Sequence, residues 1–138
     1  MKTVEAFNLW LTCIPDNCTA LMYDLPPEIA TALDGTLASV DVLEAHLMAR
    51  YTPEELTSEA NEQLLSRLAS YVGQVAEREM NGSYWSIQLD DEKDVDHGFP
   101  VLRFKDDRAS FNPFTYVTTA MDRKRGNLIS GAIVRRKG

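Results

Sequence analysis

The sequence predicts an α+β fold: N-terminal helices packed on a small, mainly antiparallel sheet, with one further helix before a last strand. Three observations predict it. Apolar residues keep a helical period through the first eighty positions. Strict alternation begins only at Tyr84–Leu89, where Trp85, Ile87 and Leu89 share one face. Turn pairs at Asp34-Gly35, Asn81-Gly82 and Gly126-Asn127 punctuate the chain. With 138 residues, one domain is expected, helical over about 1–82 and strand-rich over about 83–138.

Val4, Phe7, Trp10, Leu11 and Ile14 lie at helical spacing, and Pro15 closes that segment into a loop. Pro26-Pro27 start a short helix over Glu28–Leu33, with a proline and an acid in its first turn. Val40, Leu43, Leu47, Met48 and Tyr51 form one apolar stripe, so residues 39–50 read as a helix capped by Ser39 or Thr36. Thr52-Pro53-Glu54-Glu55 is a capping box that opens another short helix. The clearest helix runs over Ala60–Met80, and Gly73 inside it implies close approach of another backbone. Phe99–Phe104 is a second strand, and Arg108–Phe111 a third, short one. Asn112-Pro113 caps a helix to about Arg125, with Phe114, Val117 and Met121 inward. Leu128–Val134 reads as the final strand, and Arg135-Arg136-Lys137 as a solvated end. Trp10, Trp85, Phe99, Phe104 and Phe114 are the expected large core side chains.

Composition is that of an ordinary globular chain, 44% hydrophobic and 25% charged, which excludes collagenous and wholly disordered classes. The net charge of −7 divides unevenly: −9 over residues 1–66, −4 over 67–98 and +6 over 99–138. A uniformly basic nucleic-acid binder is thereby excluded. One reading makes the acidity a set of solvated helix faces offset by a C-terminal segment that folds back; the other makes it a docking surface. The first residues, Met1-Lys2-Thr3-Val4-Glu5, do not form a signal peptide, and no stretch reaches the roughly 18 apolar residues of a spanning helix, so a cytoplasmic location is expected. In that compartment Cys13 and Cys18 read as reduced and structural.

The candidate chemistry is mostly negative. Cys13, Cys18, His46 and His97 match no zinc spacing. The run from Asp90 to Gly98 fails as an EF-hand loop in both registers, because neither supplies glycine at position six and glutamate at position twelve. It reads as a solvated acidic hairpin loop or as a protein-docking loop, with Asp90, Asp91, Glu92, Asp94 and Asp96 as the candidate partner-binding residues. Asp96 beside His97 offers a conceivable general-base pair, although a turn role is the simpler reading. No catalytic residue, metal site or cofactor is expected: the chain holds no nucleophile elbow, phosphate loop or dinucleotide fingerprint.

Tyr71-Val72-Gly73-Gln74-Val75 followed by Asn81-Gly82-Ser83-Tyr84-Trp85 resembles a pattern in small uncharacterised bacterial proteins built on domains of unknown function. Phe99-Pro100-Val101-Leu102 and Asn112-Pro113-Phe114 resemble its second half, and Leu43-Glu44-Ala45-His46-Leu47 the leucine-rich helix before it. Some of those proteins resemble immunity proteins of toxin systems. The resemblance spans roughly residues 37–122, carries no catalytic residues, and meets Gln74 where the pattern has an acid. The net charge of −13 over residues 1–98 and the absence of catalytic motifs point to a noncatalytic, acidic protein-binding module, immunity-like or regulatory, with a protein partner of basic character. The alternative is a small-ligand-binding or enzymatic domain with a pocket between helices and sheet. A third reading is a nucleic-acid adaptor using the C-terminal cations.

Overall fold

The computed structural model describes residues 1–137. Eight helices and two strands follow in order: α1 Val4–Thr12, α2 Ile14–Asp24, α3 Pro27–Ala32, α4 Leu37–Met48, α5 Pro53–Leu56, α6 Glu62–Glu79, β1 Tyr84–Ile87, β2 Pro100–Arg103, α7 Pro113–Arg123 and α8 Leu128–Lys137. A single 3-10 turn over Glu59–Asn61 leads into α6. The class is α+β, as expected, with helices before the sheet.

Local chemistry accounts for most helix starts. Thr3 Oγ1 accepts from the Ala6 N–H at 3.1 Å to cap α1. Of the two proposed caps for α4, Thr36 is the one used, accepting from Ser39 N at 3.2 Å. Ser39 turns inward instead and lies 2.6 Å from the Tyr71 hydroxyl. The capping box at Thr52 and Glu55 is complete in both directions. Pro15 does more than close α1. It occupies the first turn of α2, where its missing N–H has no helical partner to lose, so the loop expected there is a second helix after a bend at Cys13.

α6 is the spine, packed against α2 on one side and α7 on another. Its Gly73 faces a side chain rather than a backbone. A Cβ built there would lie 2.6 Å from Trp85 Cη2 and 2.9 Å from Cζ2. β1 and β2 pair antiparallel with Trp85 opposite Leu102. The third expected strand shrinks to one bridge, in which Leu102 and Phe111 exchange N–H···O bonds of 2.9 Å.

The last expected strand is wrong: Leu128–Val134 lies within α8. The β-branched residues misdirect, but Ile129, Ala132 and Ile133 recur at helical spacing and are all buried. The start of α8 is held from α4. The buried Glu44 carboxylate accepts from Leu128 N at 3.0 Å and Ile129 N at 2.9 Å, and Asp41 accepts from Ser130 Oγ at 2.6 Å. An anion at free N–H groups and the positive helix end favours helix over extended chain there.

The main core joins Leu21, Val40, Leu43, Leu68, Val72, Leu102, Phe111, Val117, Ile129 and Ile133. A second cluster gathers Trp10, Ile14, Ala69 and Phe114, with Trp85 and Phe99 half-buried against it. Trp10 meets Trp85 edge-on at 5.3 Å and Phe114 at 5.5 Å, and donates to Ser66 Oγ at 2.9 Å. Of the five expected core aromatics, Trp10, Phe104 and Phe114 are buried. The largest fully buried side chain is Phe111.

Candidate docking surface

The chain between β1 and β2 forms the acidic loop. Its base is closed by the Gly98 N–H donating to Gln88 O at 2.9 Å, and by His97 Nε2, 3.2 Å from Leu89 O. The five candidate acids divide into two sets. Asp96 is a strut: its carboxylate accepts from Ser110 Oγ at 3.2 Å and from Asn112 Nδ2 at 3.0 Å. Asn112 in turn caps α7 with its Oδ1, accepting from Phe114 N and Thr115 N. Asp94, half-buried, accepts from Asp96 N at 2.8 Å and shapes the turn. Asp90, Asp91 and Glu92 are exposed, and none joins an ion pair among the described residues. Val95, on the same loop, has 85% of its surface exposed. The anchoring role of Asp96 had one sequence signal, the N-cap signature at Asn112; the pairing of the two required the fold.

This geometry does not make the Asp96–His97 pair, because the carboxylate is turned to Ser110 and Asn112 and the imidazole to Leu89 O. Cys13 and Cys18 are both free thiols. Five helical positions separate their Cα atoms by roughly 8–9 Å, beyond disulfide reach. Burial pushes the Cys18 thiol up to about 11, which suppresses its thiolate near neutral pH. Among the described residues no group of three or more His, Cys, Asp or Glu is placed to hold a metal ion, and no helix is long and apolar enough to cross a membrane.

The C-terminal cations are dispersed. Arg123, Lys124 and Arg125 precede α8, whereas Arg135, Arg136 and Lys137 end it, roughly 15 Å away along the helix. Arg136 is not a solvated end. It donates to Ser110 O at 3.0 Å, Ala132 O at 2.7 Å and the Tyr116 hydroxyl at 2.7 Å. Lys137 pairs with Glu79 at 2.8 Å. Arg108 lies 3.6 Å over the Phe104 ring and pairs with Asp106, whose carboxyl these hydrogen bonds hold below the usual range.

Among the described residues, none from a strand borders the cleft of about 250 Å³ walled by Met1, Leu65 of α6, Phe99 of the loop before β2 and Phe114 of α7. Its polar side chains are Glu62 and Ser66, and Ser66 is already bonded to Trp10. Comparison with protein-family models, with curated proteins and with solved structures returns no match.

Proposed function

We propose that the chain is a cytoplasmic, noncatalytic protein-binding module of immunity-like or regulatory type, and that its acidic loop meets a partner with basic groups. One observation carries the proposal: Asp90, Asp91 and Glu92 stand exposed and outside any ion pair among the described residues, on a loop that also exposes Val95 and is braced by Asp96. Bracing lowers the ordering cost of binding. Unpaired charge steers an oppositely charged partner, and exposed Val95 offers an apolar contact on the same loop. The net charge of −13 over residues 1–98 acts in the same direction at longer range.

The test replaces the three exposed acids together, Asp90→Asn, Asp91→Asn and Glu92→Gln, leaving Asp94 and Asp96 to hold the loop. Partners retained by the native chain are identified by mass spectrometry, and association is measured across a salt series. Slower association with a flatter salt dependence is the expected result. An unchanged on-rate removes the loop as the docking site.

A further inference from the structure

A second surface has the opposite electrostatic character. Residues 1–66 hold only two basic side chains, Lys2 and Arg50. Arg50 lines a cavity of about 260 Å³ at the C-terminal end of α4, together with His46, one helical turn earlier, and Tyr51. The apolar walls are Leu25 and Pro26 from the α2–α3 link, Leu47 from α4 and Leu64 from α6. Asp24 also borders the cavity, but Arg67 grips both of its oxygens, at 3.1 and 2.9 Å, and matches its charge. Arg50 joins no ion pair among the described residues. Among the residues that line the cavity, the formal charge left unmatched is that of Arg50; Glu28 does not line it but lies near enough to act on His46.

We propose that this cavity binds a small organic anion, its carboxylate or phosphate oxygens on Arg50 and His46 and its apolar part against Leu25, Pro26, Leu47 and Leu64. Arginine supplies a planar fork for an oxyanion, imidazole and phenol supply single donors, and the four apolar residues accept a ring or short chain. The volume lies just under the usual range for ligand pockets, about 300–1,000 Å³, so the ligand is a small one. The proposal is independent of the acidic loop and survives if the docking reading fails.

The cavity's charge reads out at His46. Burial first, and then the Arg50 charge, hold its pKa below the ordinary histidine value, while Glu28 opposes them. Tyr51 and Asp24, the latter held by Arg67, are the other ionisable side chains that line the cavity. An anion seated between His46 and Arg50 reverses the Arg50 effect and favours imidazolium. Binding then raises the His46 titration midpoint and strengthens as pH falls through it.

The experiment follows the His46 ring protons by NMR on the whole chain, titrated separately with benzoate, phenyl phosphate and inorganic phosphate. Saturable shifts with benzoate or phenyl phosphate are expected, with a raised His46 midpoint, and the tighter of the two identifies the preferred oxyanion. Arg50→Gln should weaken binding about tenfold, equivalent to one charge-assisted hydrogen bond. Arg78→Gln, a change of an exposed arginine outside the cavity, should leave it unaltered. Circular dichroism verifies that both variants fold. The assignment is overturned by absence of saturation with every probe, by equal binding to Arg50→Gln, or by inorganic phosphate binding as tightly as phenyl phosphate.

Discussion

Glu44 is the residue on which the C-terminal third leans most. It is fully buried, yet its carboxylate serves backbone donors more than eighty positions away. Removing it strands the first two N–H groups of α8 in the interior. Glu44→Ala should therefore cost on the order of 3 kcal/mol in urea unfolding, with Glu44→Gln losing less because one acceptor survives. Gly73 poses the reverse problem. Alanine is the better helix former by about 1 kcal/mol, but here its methyl meets the Trp85 ring. Gly73→Ala should be net destabilising by about 1–3 kcal/mol. Adding Trp85→Phe, which removes the two clashing ring atoms, should return much of that loss, a coupling visible in a double-mutant cycle. Cys18 should resist alkylation at neutral pH, and its rate should climb towards pH 11 as the thiolate forms.

Among elements, the loop between β1 and β2 and the helix α7 act as one unit, since Asp96 and Asn112 join them. Asp96→Ala should loosen the loop and weaken the α7 cap, costing about 1 kcal/mol. Hydrogen exchange at Asp94–Gly98 and Phe114–Thr115 should quicken together, whereas Asp90→Asn should leave both unchanged. At the end of α4, His46 is held below its unfolded pKa. Just below pH 6.5 the unfolded chain then binds more protons than the folded one, so stability falls as pH falls through that window. His46→Gln should remove that part of the slope between pH 7 and 5 in thermal melts. Losses attributable to Asp34 and Asp106, whose carboxyls are held low by hydrogen bonds, belong to a more acidic window.

At the scale of the whole molecule, the charge asymmetry is partly answered inside the fold. Arg136 and Lys137 fold back onto Ser110, Tyr116 and Glu79, which leaves them committed rather than free to meet phosphates. The other exposed C-terminal cations are spread over three segments: Lys105 and Arg108 after β2, with Arg108 paired to Asp106, Arg123, Lys124 and Arg125 before α8, and Arg135 near its end. A duplex-binding surface draws on clustered cations, so association with nucleic acid at low salt should be weak and little changed by Arg135→Gln.

The sequence by itself determined the elements whose ends carry their own chemistry. The capping box at Thr52, the Asn112-Pro113 start of α7 and the Asn81-Gly82 stop after α6 are local, because each cap bonds within a few residues. The alternation at Tyr84–Ile87 and the acidic loop were legible for the same reason. Tertiary structure alone decided the rest. α8 reads as a strand until Glu44 and Asp41 of α4 are brought to its start. Asp96 reads as one of five equivalent acids until α7 is placed beside it. His46 and Arg50 become a pocket only when Leu64 of α6 and the Leu25-Pro26 link close over them. In each case the deciding partner lies outside the local window. Periodicity and propensity report what a segment buries, and only the fold reports which charged group it meets.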